Sequence, residues 1–143
     1  MSSRLPVDVV VVDASPDFRW ILRRVFQRKG GFDVVGDTED LEVGIDLVRS
    51  SQPRVVLVDL DDPRVDVAGV VRRIRVGCPH ASVLATTTIG RPEVRDTVLA
   101  AGGDGLVRKG VSLQHTFDQL WSVLAEKPNV RSVGQLGTAS ETY

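Results

Sequence analysis

The sequence predicts a doubly wound α/β domain, a five-stranded parallel sheet with helices on both faces. Two observations carry that reading. Five short apolar runs alternate with five segments of helical periodicity, the signature of repeated βα units. The most apolar runs, Val9 to Val12 and Val55 to Val58, are continuous rather than alternating, as strands covered on both faces are. With 143 residues, 42% hydrophobic and 26% charged, the chain can bury one ordinary core without disulfide or metal staples.

Val7 to Val12 is the first strand, followed directly by Asp13. Ser15-Pro16-Asp17 then reads as a helix start: a serine cap, proline in the first turn, and an acid where the macrodipole favours it. Phe18, Ile21, Leu22, Val25 and Phe26 keep helical spacing until Gly30-Gly31 ends the helix. Phe32 to Val35 is a second strand, and Asp37 to Asp40 opens a second helix with Leu41, Ile45, Leu47 and Val48 on its apolar face. That helix stops before Gln52-Pro53, because the residue preceding proline is disfavoured in the helical region.

Arg54 to Asp59 is the third strand, and Asp66 caps a third helix that buries Val67, Val70, Val71 and Ile74. Ala81 to Ala85 is a fourth strand closing in Thr86-Thr87-Thr88, and Pro92 starts a helix through Val94, Val98 and Ala101. After the turn Gly102 to Gly105, Leu106 to Arg108 is a minimal fifth strand. Ser112 caps a last helix carrying Leu113, Phe117, Leu120, Trp121 and Leu124. Residues 1–127 are thus one domain, and Pro128 to Tyr143 reads as a flexible tail or linker stub. Trp20 lies off the stripe of the first helix, which leaves open whether it docks a partner or is partly covered.

Charge and cysteine content narrow the function. The formal net charge is -1 with no long basic block, so nothing asks this chain itself to bind nucleic acid or an anionic membrane. The clusters Arg23, Arg24, Arg28, Lys29 and Arg72, Arg73, Arg75 read as solvated helix flanks. Cys78 is the only cysteine and there are two histidines, which is short of ligands for structural zinc. No apolar run reaches bilayer length, and the start of the chain lacks a signal-peptide apolar region, so a cytoplasmic location is expected.

Four groups fall at strand ends: Asp13 after strand one, Asp59 after strand three, Thr86 closing strand four, and Lys109 after strand five. In a doubly wound sheet such ends converge on one crevice. Two carboxylates, a hydroxyl and an ammonium suit phosphoryl chemistry. One carboxylate can attack phosphorus, and the cations offset the repulsion between anions.

These residues carry a resemblance over roughly Val7 to Lys127. PRVVLVDLDDPRVD, from Pro53, resembles the PDVVLLDLxMPxMDG segment of two-component response-regulator receiver domains. VVVVDASPDFR resembles their acid-pair segment, FDVVGDTED the second strand of the NarL/LuxR-type branch, and AGGDGLVRKG its AGAxGYLLKx. The resemblance implies a flavodoxin-like (βα)5 fold with strand order 2-1-3-4-5 and Asp59 as phosphoacceptor. It also implies Lys109 as active-site lysine, Thr86 as switch hydroxyl, and Mg2+ as cofactor held by Asp13, Asp59 and the backbone carbonyl of Asp61. A histidine kinase or another protein, including a second copy of the chain, is the implied partner, and the domain is a signalling switch rather than an enzyme.

Three positions depart from that pattern. The second acid of the acid pair is Ala14, so water has to fill one place around the metal. Leu106 stands where the branch commonly has an aromatic residue, and Val67 replaces the glycine after Asp66. Ala14 opens a second reading, a phosphorylation-independent pseudo-receiver with impaired Mg2+ binding. A third reading, on Asp59-Leu60-Asp61 alone, is a similarity to the nucleophile motif of haloacid-dehalogenase enzymes. Those enzymes usually carry the motif on the first strand, whereas here a full βαβα unit precedes it. NarL/LuxR-type receivers usually precede a helix-turn-helix; the sixteen residues after Lys127 are too few for one.

Overall fold

The computed structural model describes residues 6–110 and 112–126; the expected tail, Pro128 to Tyr143, and the side chain of Leu113 lie outside them. Five strands alternate with five helices: β1 (Val7–Val12), α1 (Pro16–Lys29), β2 (Phe32–Thr38), α2 (Leu41–Ser51), β3 (Val55–Asp59), α3 (Val67–Gly77), β4 (Ser82–Thr87), α4 (Pro92–Ala100), β5 (Gly105–Arg108) and α5 (Leu113–Glu126). All pairings are parallel, and the order is β2-β1-β3-β4-β5. The flavodoxin-like doubly wound sheet expected from the sequence is therefore the fold.

Residues of the central strands divide between two cores. On one face Val10, Val12, Val56 and Val58 pack with Ile45, Val48, Val70, Ile74 and Val98 from α2, α3 and α4. On the other, Val9, Val11, Val55 and Leu57 pack with Leu22, Phe26, Phe117, Leu120 and Leu124 from α1 and α5. Successive residues of a strand point to opposite faces, which is why each apolar run needs no polar interruption.

Local signals set most of the boundaries. The Ser15 side chain accepts from the Phe18 amide at 3.1 Å, Asp66 accepts from Gly69 at 3.1 Å, and Ser112 accepts from His115 at 3.2 Å, each capping a helix. Gln52 leaves α2 in the left-handed region, φ 49°, and its side-chain amide donates to the Gly77 carbonyl at 2.7 Å.

The fourth strand is Ser82–Thr87 rather than Ala81 to Ala85, and β3 and β5 start one residue from the expected place, but the largest boundary difference is in β2. The second strand does not stop at Val35; it continues to Thr38, and α2 begins only after Asp40, whose carboxylate accepts from Val43. A register shift opposite Val9/Val10 inserts one residue and lets Gly36, Asp37 and Thr38 keep pairing with Val10, Val11 and Val12. Beside β2, Gly36 leaves room for the Leu47 side chain, which a Cβ there would meet at 3.3 Å.

Candidate functional site

The carboxyl edge of the sheet gathers the predicted groups because neighbouring strands end in register. Val12 pairs with Val58, Asp59 with Thr86, and Thr87 with Arg108. Asp13, Asp59, Thr86 and Lys109 thus meet although Lys109 is 96 residues from Asp13 and 50 from Asp59.

Lys109 joins the two acids. Its Nζ donates to Asp13 Oδ2 at 2.9 Å and to Asp59 Oδ2 at 3.3 Å, and it lies 5.1 Å from the centre of the Phe18 ring, a cation–π contact. Burial by itself would lower its pKa; the hydrogen bond and charge of Asp13, with those of Asp59, outweigh that and hold it above the ordinary lysine value. The ammonium is therefore charged at neutral pH.

Asp13 is only 1% exposed and fully engaged. Its Oδ1 accepts from the Ser15 amide at 2.9 Å, and its Oδ2 from Lys109 and from the Thr86 hydroxyl at 3.4 Å. Arg19 Nη1 donates to the Asp13 carbonyl and its guanidinium also faces Asp37, pinning the β1–α1 turn. Asp59 is half-open: its Oδ1 accepts the Asp61 amide at 3.0 Å.

The three threonines part company. Thr86, register partner of Asp59, is buried beside Asp13. The Thr87 hydroxyl donates to Asp61 Oδ1 at 2.6 Å and accepts from the amides of Ile89 and Gly90 at 3.1 Å each. The Thr88 amide and hydroxyl donate to Asp61 Oδ2 at 2.9 and 3.1 Å. The Asp61 carboxylate is thus bound to the β4–α4 loop, residues 88–91. Burial would raise its pKa; the donors from Thr87 and Thr88 and the charge of Lys109 prevail and lower it. Asp62, next along the chain, does something else: it pairs with Arg64 at 2.9 Å, which lowers its pKa to about 2.

A hollow of about 120 Å3 opens beside these groups, lined among others by Asp13, Ala14, Glu39, Asp59 and Asp62. The carboxylates of Asp13 and Asp59 are hard oxygen donors of the kind Mg2+ takes, and this ion usually keeps several waters. Ala14 contributes only a methyl group. No cluster of three or more acid, histidine or cysteine side chains suited to hold a metal ion occurs among the described residues, so the donor set fits an ion held largely by water. Asp13, Asp59, Thr86 and Lys109 come together as the sequence predicted. Glu39, Phe18 and Thr87 were missed. Glu39 was detectable, since the 2-1-3 strand order brings the end of β2 next to Asp13.

A parallel sheet in the order 2-1-3-4-5, with a lysine bridging two acids at its carboxyl edge, defines the class: a CheY-like receiver. The chain belongs to the response regulator receiver domain family, which matches residues 9–120. It is 28% identical over 103 residues to the transcriptional regulatory protein DegU of Brevibacillus brevis, covering 72% of this chain and 44% of that one. A LuxR-family two-component response regulator from Aurantimonas sp. SI85-9A1 superimposes with a TM-score of 0.76 at 23% identity, over 96% of this chain and 99% of that one. The CheX-CheY-BeF3-Mg+2 complex from Borrelia burgdorferi matches with a TM-score of 0.75 at 20% identity, over 84% and 90%. The chain spans about half the length of the curated relatives it matches. Among the described residues, no helix is long and apolar enough to cross a membrane.

Proposed function

We propose that this receiver domain accepts a phosphoryl group on Asp59 from a histidine kinase and changes protein partners in response. The observation that carries the reading is the Lys109 ammonium held between Asp13 and Asp59. An Asp59 carboxylate oxygen attacks phosphorus, the bond from phosphorus to the donor breaks, and the leaving group departs with the electron pair. An acyl phosphate remains on Asp59. Lys109 is placed to follow the transferred oxygens, and the threonine hydroxyls at the end of β4, Thr86 and Thr87, are donors beside them. Asp13, Asp59 and the Asp61 carbonyl are the oxygens assigned to Mg2+, which when bound offsets charge on the phosphoryl group.

Incubation with a small phosphodonor and Mg2+ tests this. A mass gain of one phosphoryl group is expected in the natural chain and not in Asp59→Ala; no gain in either contradicts it.

Ala14 favours a second reading, the pseudo-receiver that works without phosphorylation. With one carboxylate fewer, the unmodified pocket has less like-charge repulsion to relieve. Mg2+ titration separates the two: this reading gains if the natural chain barely binds the ion while Ala14→Asp binds it well.

A further inference from the structure

The carboxylate of Asp61 takes no part in the contact between Lys109 and the two pocket acids, yet it is among the best-satisfied groups on this edge. Three donors from one stretch of chain converge on it: the Thr87 hydroxyl, the Thr88 amide and the Thr88 hydroxyl, at 2.6, 2.9 and 3.1 Å. These donors lie 26 and 27 residues away in sequence, so the bonds tie the connection after β3 to the loop after β4. The carboxylate of Asp62 bonds instead within its own turn, to Arg64.

The place of this contact gives it meaning. The Asp61 amide donates to Asp59 Oδ1, so the latched carboxylate sits two residues from the proposed phosphoacceptor. The Lys109 amide donates to the Thr87 carbonyl at 2.8 Å, joining the end of β4, from which that loop departs, to the lysine. A hydroxyl and an amide converging on an anion are what a phosphoryl group recruits, and here an internal carboxylate already holds them. We propose that Asp61 is an internal counter-anion that keeps the β4–α4 loop in place in the unmodified protein and competes with an anionic group on Asp59 for the donors of Thr87 and Thr88.

This proposal rests on the phosphoacceptor reading. A phosphoryl group brings about two negative charges beside Asp61, which repel its carboxylate and offer oxygens to its donors. Release moves the loop that carries Ile89, a large apolar side chain already 61% exposed. Modification at Asp59 is thereby coupled to the surface at the start of α4. Through its carboxylate Asp61 acts as a positioning residue, bonding the donors of Thr87 and Thr88.

The test compares the natural chain with Asp61→Ala and with the near-isosteric Asp61→Asn, which safeguards folding. Hydrogen exchange at the Thr88 amide is read without any ligand, and binding of beryllofluoride, a phosphoryl mimic, is read at saturating Mg2+. Loss of Thr88 protection with about tenfold tighter beryllofluoride binding in Asp61→Ala, and a smaller change of the same sign in Asp61→Asn, is expected. Unchanged Thr88 exchange, or equal or weaker binding in Asp61→Ala while the natural chain binds, overturns the latch and leaves the phosphoacceptor reading standing. Binding by none of the three proteins overturns the competition. If Ala14→Asp fails to restore it, the phosphoacceptor reading falls as well.

Discussion

The two edges of the sheet are built from opposite materials. At the amino edge Phe26, Phe32 and Phe117 pack in tilted and edge-to-face contacts with ring centres 5.1 to 5.8 Å apart, and Trp121 lies 4.6 Å from Phe32. At the carboxyl edge the contacts are between Asp13, Asp59, Asp61, Lys109 and the threonines. Both join distant parts of the chain. The aromatic edge gains from apolar area removed from water, whereas the polar edge recovers in hydrogen bonds and charge pairing roughly what desolvation costs. The amino edge therefore carries stability, and the carboxyl edge holds the groups for which chemistry is proposed.

The sharpest way to break this division is Phe26→Ala. Phe26 is 1% exposed and touches two other rings, so its loss should cost about 3–5 kcal/mol in chemical denaturation. The folded fraction should keep its capacity for phosphoryl uptake.

Lys109→Ala is the complementary change. It leaves Asp13 and Asp59 facing each other without their cation, and should cost about 1–3 kcal/mol while abolishing uptake from a small phosphodonor. The lysine pKa is raised in the folded state, so its contribution is complete below the ordinary lysine value and is lost as pH rises through the folded one. The natural chain should accordingly lose stability on the alkaline side, and Lys109→Ala should lack that part of the loss.

Ala14→Asp sharpens the comparison within the polar edge. Adding the third carboxylate should raise Mg2+ affinity about tenfold or more in calorimetric titration and lower metal-free stability through like-charge repulsion. Asp62→Ala sets the lower bound. Its partner Arg64 is two residues away and exposed, and such surface pairs contribute little, so the denaturation midpoint should stay where it is.

What the sequence disclosed follows the same line. Strand interiors were legible because covered strands are written as continuous valine and leucine runs, and the convergence of Asp13, Asp59 and Lys109 was legible because the two acids directly follow such runs and Lys109 follows the short strand that ends at Arg108. Side-chain direction beyond the strand ends was not. Asp61 and Asp62 look alike in sequence, and only the position of the β4–α4 loop draws one into a latch and leaves the other to its neighbour Arg64. The threonine run hid a similar division, since strand register buries Thr86 beside Asp13 while Thr87 meets the loop. The extension of β2 depends on a register shift that no local signal marks. Trp20, undecided from its helical position, is 61% exposed with Arg24 stacked 5.2 Å above its ring.

The most direct test asks which side chain bears the phosphoryl group. After treatment with a small phosphodonor and Mg2+, borohydride reduces an aspartyl phosphate to homoserine, which peptide mass mapping locates. The account predicts homoserine at position 59 and intact Asp13, Asp61 and Asp62. An unreduced Asp59, or a label on any other acid of this edge, contradicts it.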